Sequence, residues 1–172
     1  MIKKVLLLGM LLLQWQALVS QTNLFDKATV TFEFVTRGVK GTFDDFESKT
    51  KINWSALDES YFEGSVATGS IDTNNWLRDW HLKSKKYFSA DNHPRIYFRA
   101  KTVSIKGVNL VVKGNLTIKG IQKPMTLVFE KAGDKFIGKG QLYSTDFDIN
   151  IKKKREANLV RVQVVFDVPN PL

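Results

Sequence analysis

The sequence of 172 residues contains no cysteine. That excludes disulfides, thiolate metal sites, a cysteine nucleophile and a lipid attached at a lipobox cysteine, so the fold must be held by its own core. Histidine is nearly as scarce. His81 and His93 lie on different elements, with no HExxH and no third ligand at metal spacing, and no metal or cofactor is expected. There is no GxSxG elbow and no Gly-rich phosphate loop, since "GKGQ" at Gly138 to Gln141 falls inside a strand pattern. No catalytic residue is expected, and the chain reads as a non-enzyme. Long apolar runs are missing too: none reaches the ~20 residues of a membrane-spanning helix. The run from Val5 to Leu13 follows Lys3 and Lys4 and precedes small and polar residues near Ser20, which fits a secretory signal peptide over residues 1–20. The remaining domain, residues 21–172, is then expected to be periplasmic or secreted.

Positive charge and aromatic side chains are abundant. Lys and Arg number 26 against 17 Asp and Glu, and twelve Phe join four Trp and four Tyr. Such an aromatic share suits strands and wide apolar pockets. Alternation points the same way. Val30, Phe32 and Phe34 share one face of a first strand, and after the "RGVKG" turn a second runs from Val39 to Phe46. "KTKINW" and "YFEGSVATGSID" read as further strands. Ile96, Phe98 and Ala100 begin another. Val108, Leu110, Val112, Gly114, Leu116 and Ile118 hold a period of two, and Met125, Leu127 and Phe129 resume it after a turn at Gly120 to Lys123. A strand from Lys135 towards Ile151 changes phase near Ser144 to Asp146, which predicts a bulge. Val160, Val162, Val164 and Phe166 close the series.

One segment breaks the pattern. "NNWLRDWHLKS" reads as a helix capped by Thr73 or Asn74, with Trp76, Leu77, Trp80 and His81 on one arc. Eight or nine strands at hairpin spacing, each with one apolar face, make a single antiparallel sheet that must bury that face on itself. Short links between sequence neighbours predict an all-β, up-and-down barrel of about eight strands, with the helix in one connection.

Three stretches carry a family likeness: "GVKGTF" at Gly38 to Phe43, "SIDTNNWLRDWHLKSKKYFSADNHPRIYF" at Ser70 to Phe98, and "VKGNLTIKGIQKPMTL" at Val112 to Leu127. Together they resemble the YceI-like family of lipocalin-shaped, polyisoprenoid-binding proteins. The resemblance implies an exported barrel holding a long apolar chain, isoprenoid or fatty acyl, in its interior. The region before Ala28 departs from the family, lacking a clear counterpart of its opening aromatic strand.

Period-two facing assigns the interior, and hence the lipid contact, to Phe32, Phe34, Phe43, Ile96, Phe98, Leu110, Val112, Leu116, Leu127, Phe129, Val162 and Val164. A structural barrel filled throughout is the competing reading, and a continuous cavity is what separates the two. In an up-and-down barrel, alternate links share an end. The helical link, the turn after Ile118 and "KKKRE" at Lys152 to Glu156 should therefore crowd one rim. Arg78, His81, Lys123, Lys152, Lys153, Lys154 and Arg155 are the head-group candidates there, facing an anionic lipid head or an anionic membrane surface. Asp146 and Asp148 are read as solvated rather than as paired catalytic carboxylates. Nucleic acid is not an expected partner, because the aromatics occupy the apolar face and the lysines the other.

Overall fold

The computed structural model describes residues 24–167, so the expected signal peptide lies outside the described residues. The strands are β1 (Thr29–Phe34), β2 (Val39–Phe43), β3 (Glu47–Ser48), β4 (Glu63–Ala67), β5 (Arg95–Lys106), β6 (Asn109–Ile118), β7 (Ile121–Ala132), β8 (Lys135–Tyr143) and β9 (Leu159–Asp167). They form one antiparallel sheet in the order β2-β1-β9-β8-β7-β6-β5-β4-β3. Helix α1 (Trp76–Lys83), in the β4–β5 connection, is the one α-helix among the described residues.

The sheet curls back on itself. Its two edge strands, β2 and β3, are consecutive in the chain, run in the same direction and are separated only by residues 44–46. They are two halves of one bent stave, the first paired with β1 and the second with β4. Nine strands thus make eight staves. The seam is stitched where Thr42 N–H donates to the Asp72 carbonyl (2.9 Å), Asp72 N–H returns the bond (3.1 Å) and Ala67 N–H reaches the Asp44 carbonyl (3.2 Å). Arg95 clamps the bend, with Nη1 2.9 Å from Asp45 Oδ2 and Nε 2.9 Å from Ser65 Oγ. Gly41 is required here by contact: a Cβ would stand 2.5 Å from the Asp72 carbonyl oxygen and 2.6 Å from the Phe32 ring.

Several sequence expectations need correction. The strand predicted from Val39 to Phe46 is interrupted after Phe43. "KTKINW" contributes only an isolated bridge from Lys51 to Tyr61. Val108 belongs to the β5–β6 turn and is 97% exposed, because Gly107 (φ 62°) turns the chain before the alternation starts. The β6–β7 turn is just Lys119 and Gly120, both at positive φ, so Lys123 lies within β7 opposite Leu116. The phase change after Tyr143 is no bulge. The strand ends there, and a 3₁₀ turn over Ser144–Phe147 with Asp148 at φ 55° swings Phe147 and Ile149 into the interior. Helix α1 is capped by Asn75, whose Oδ1 accepts from Arg78 N–H at 3.0 Å, rather than by Thr73 or Asn74.

The strand directions place the β1–β2, β4–β5, β6–β7 and β8–β9 connections at one end, here the upper, and the β5–β6 and β7–β8 turns at the lower. The lower end is solid. Phe129 stacks on Phe136 (5.0 Å between centroids), and Phe25 meets Phe166 edge-on (5.1 Å) while Phe62 abuts Phe129 (5.4 Å). Phe25 is buried in this plug, so the segment before Ala28 does supply an aromatic, one residue type too isolated to show any alternation. Burial of each ring contributes roughly 1.5–3 kcal/mol.

Candidate ligand cavity

Above the plug the barrel is hollow. A cavity of about 560 Å³ runs from a floor at Phe62 and Phe166 to a mouth between α1 and the β8–β9 connection. Of the predicted interior residues, Phe32, Phe34, Phe43, Ile96, Phe98, Leu116, Leu127, Val162 and Val164 line it. Leu110, Val112 and Phe129 do not. They are buried, but in the filled lower end, because alternation reports which way a side chain faces and not how far along the barrel the packing is complete.

Sequence reasoning missed much of the remaining wall. Phe46, Ile71, Tyr87, Phe88, Phe147 and Ile149 all reach the cavity from turns and connections, where no period exists to reveal them. Gly64 is also part of the wall, with Phe46 leaning over it.

The mouth is cationic. Arg37, Arg78 and His81 belong to the lining, and among the described residues no aspartate or glutamate does. The three upper links predicted to converge do touch: the His93 ring closes over Gly120, its Cε1 3.1 Å from where a Cβ would stand, and Lys119 Nζ lies 2.9 Å from Asp148 Oδ2. Arg78 is partly committed to the helix anchor, since Nε donates to Thr73 Oγ1 (2.7 Å) and Nη2 to the Thr73 carbonyl (2.6 Å). Buried Asp79 completes the anchor by accepting from Thr73 N–H at 3.0 Å and from the Thr73 hydroxyl. Arg155 is spoken for. Its Nε and Nη2 make a two-point contact with Asp146 at 2.7 and 2.6 Å, and its guanidinium lies 3.8 Å from the Tyr143 ring centroid. The hydrogen bonds from Arg155 hold the Asp146 carboxyl below the usual carboxylate range, and Lys119 does the same to Asp148. Both aspartates are therefore fastened to the rim by ion pairs, whereas simple solvation was expected. Lys123 is exposed beside Asp146 and helps keep it ionised.

Lys152, Lys153 and Lys154 present their side chains at the same rim. Their backbone is held from below by Asn158, which is fully buried. Asn158 Oδ1 accepts from the N–H groups of Ile151 (3.1 Å) and Lys152 (2.9 Å), and Nδ2 donates to the carbonyls of Lys152 (2.9 Å) and Lys154 (2.7 Å).

An antiparallel barrel of eight staves, plugged at one end and open at the other onto an apolar cavity, is the architecture of lipocalin-shaped binding proteins. The YceI-like domain matches residues 21–168, and the chain belongs to that family. A UPF0312 protein of Photorhabdus laumondii is 35% identical over 94 residues, which cover 55% of this chain and 49% of that protein. The chain thus spans about half the length of this curated relative. Among solved structures, Burkholderia cenocepacia BcnA superposes with a TM-score of 0.71 at 19% identity, covering 83% of this chain and 96% of that one. A polyisoprenoid binding domain from Saccharophagus degradans superposes with a TM-score of 0.52 at 13% identity, over 83% and 93% of the two chains.

Proposed function

We propose that this chain is an exported, non-catalytic holder of a long-chain anionic lipid, with an isoprenoid or fatty acyl chain in the cavity and the head group at the upper rim. The observation that carries this reading is the lining: an apolar cavity of about 560 Å³ whose charged or ionisable wall groups, among the described residues, are Arg37, Arg78, His81 and the Tyr87 phenol, with no carboxylate. Such a volume falls within the range of small-molecule sites, roughly 300–1,000 Å³. Burial of a dozen methylenes supplies about 10 kcal/mol gross at ~0.8 kcal/mol each, before the cost of association, so no directional contact to the chain is needed. The name of the Saccharophagus relative, a polyisoprenoid binding domain, favours the isoprenoid. The apolar run at Val5 to Leu13 favours a periplasmic or extracellular site of action. The hollow upper half speaks against a purely structural barrel.

A direct test compares a prenyl phosphate with the matching prenyl alcohol at low and high salt. Tighter binding of the phosphate, with the advantage shrinking as salt rises, is the expected result. Equal affinities at low salt would remove the head-group part of the reading, and failure of both to bind would remove the lipid part. Native mass spectrometry of the protein from its own host, followed by organic extraction, identifies the lipid.

A further inference from the structure

Helix α1 is amphipathic the wrong way round for a surface helix. Its inward side carries Asp79, buried and bonded to Thr73, with Arg78 fastened to the same residue and Leu82 half-buried behind them. Its outward side carries the large apolar groups: Trp76 is 80% exposed, Trp80 64% and Leu77 47%. At 100° per residue these three occupy an arc of roughly 100°. The fold spends nothing to bury them, and their indoles have no core role.

This arc does not stand alone. It borders the cavity mouth, where Leu77 itself enters the lining and where Ile151, also partly exposed, faces it from the β8–β9 connection. Lys83, Lys85 and Lys86 follow along the helix and its exit, and Lys152, Lys153 and Lys154 stand on the facing connection. None of these six has an ion-pair partner among the described residues. The other exposed apolar residues lie elsewhere, with Ile105 and Val108 on the β5–β6 hairpin and Trp54 in the β3–β4 connection, at the end of the barrel away from the mouth.

We propose that the α1 arc is a docking surface for an anionic phospholipid bilayer. Tryptophan belongs at the interface, where an apolar ring and a polar N–H are both accommodated, and unpaired lysines flanking an apolar patch are drawn to anionic head groups. The arrangement lays the cavity mouth on the bilayer, so a lipid chain passes between membrane and barrel without crossing open water. Docking rests on the outer face of α1 and not on what the cavity holds, and the two are tested apart.

The experiment is co-sedimentation of the protein with vesicles of phosphatidylcholine alone and of phosphatidylcholine with phosphatidylglycerol, at low and high salt. Wild type is compared with Trp76→Ser/Trp80→Ser and with Lys85→Gln/Lys86→Gln/Lys153→Gln. Preferential binding to the phosphatidylglycerol vesicles that weakens with salt is expected, with a loss of about tenfold or more in the tryptophan variant. The lysine variant should bind both vesicle types alike. Because the Trp76 and Trp80 side chains are exposed and lie outside the cavity lining, thermal melting and prenyl phosphate binding of the tryptophan variant in vesicle-free solution should stay at wild-type levels. Wild-type sedimentation by the tryptophan variant, or no binding of wild type to either vesicle, overturns the proposal. So does a dimer in analytical ultracentrifugation that the tryptophan substitutions dissociate, which would make the arc a contact between copies.

Discussion

Replacement of Asn158 by alanine is expected to loosen the lysine-bearing connection of the rim and to cost stability out of proportion to its size. The amide is fully buried and makes four hydrogen bonds of 2.7 to 3.1 Å, all to backbone groups of residues 151–154. An intramolecular hydrogen bond contributes about 1 kcal/mol net, so the set is worth about 4 kcal/mol if none of the freed groups finds another partner. Lys154 is exposed and its carbonyl can be rehydrated, whereas the N–H groups of Ile151 and Lys152 point at the vacated site and regain less. The expected loss is about 2–4 kcal/mol. Urea denaturation with a fluorescence readout measures it, provided that the slope with denaturant is unchanged. Asn158→Asp sharpens the case. It keeps the acceptor for both N–H groups but sets a carboxylate oxygen against the carbonyls of Lys152 and Lys154, so it should be at least as unstable near neutral pH. A loss below about 1 kcal/mol for alanine would mean that the connection is held by something else, and the account of the rim would fall with it.

Three further outcomes are expected. Phe98→Asp places an unpaired carboxylate in the cavity wall and should both lower stability and abolish retention of an extracted lipid; normal lipid retention by the folded variant would exclude the cavity as the site. Gly138→Ala puts a methyl 2.3 Å from Phe129 Cε1, where the ring is locked against Phe136, and should cost about 1–3 kcal/mol by overpacking, read as a lowered denaturation midpoint. Acid should destabilise the fold through Asp146 and Glu63. Both carboxyls are held below their usual range, chiefly by hydrogen bonds from Arg155 and Arg99, so their contribution is complete above the ordinary carboxylate pKa and drains as pH falls through the lowered values. Urea midpoints should be flat from about pH 6 to 8 and decline below about pH 4, and Asp146→Asn should remove part of that decline.

The staves were legible because a barrel wall imposes a strict period of two, and Val112, Gly114, Leu116 and Ile118 obey it without a break. Closure was legible from the short links. The local breaks were not. The kink after Phe43 depends on a pairing with Asp72, thirty residues on, and the shift between Ala100 and Thr102, which turns Val103 inward, leaves no mark in composition. The site was half legible for a related reason. Periodicity found the strand-borne wall, but Phe147 and Ile149 enter from a turn, and the roles of Arg155 and Asn158 exist only through partners that the fold brings near. The helix was placed well and its arc named, yet alternation of polar and apolar groups carries no sign. Nothing in "NNWLRDWHLKS" distinguishes an arc that packs inward from one that faces out until Asp79 is seen to hold the inner side.

That inversion follows from how the barrel divides its labour. The rings of Phe25, Phe129 and Phe166 concentrate packing at the lower end, where the interior is full. The upper half cannot contribute equally, because a hollow wall forfeits the contacts its residues would make with one another. It is held instead by polar fastenings around the rim: Thr73 between Arg78 and Asp79, Asp146 against Arg155, Lys119 against Asp148, and Asn158 under the lysine connection. Hydrogen bonds and ion pairs of this kind fix geometry while leaving the space they enclose empty, and they point polar groups toward the protein body. The apolar side chains of α1 are then left to face outward. A rim built to keep a cavity open therefore exposes Trp76 and Trp80 as a consequence of its own construction, and stability measured on the lower plug should be insensitive to changes in that exposed arc.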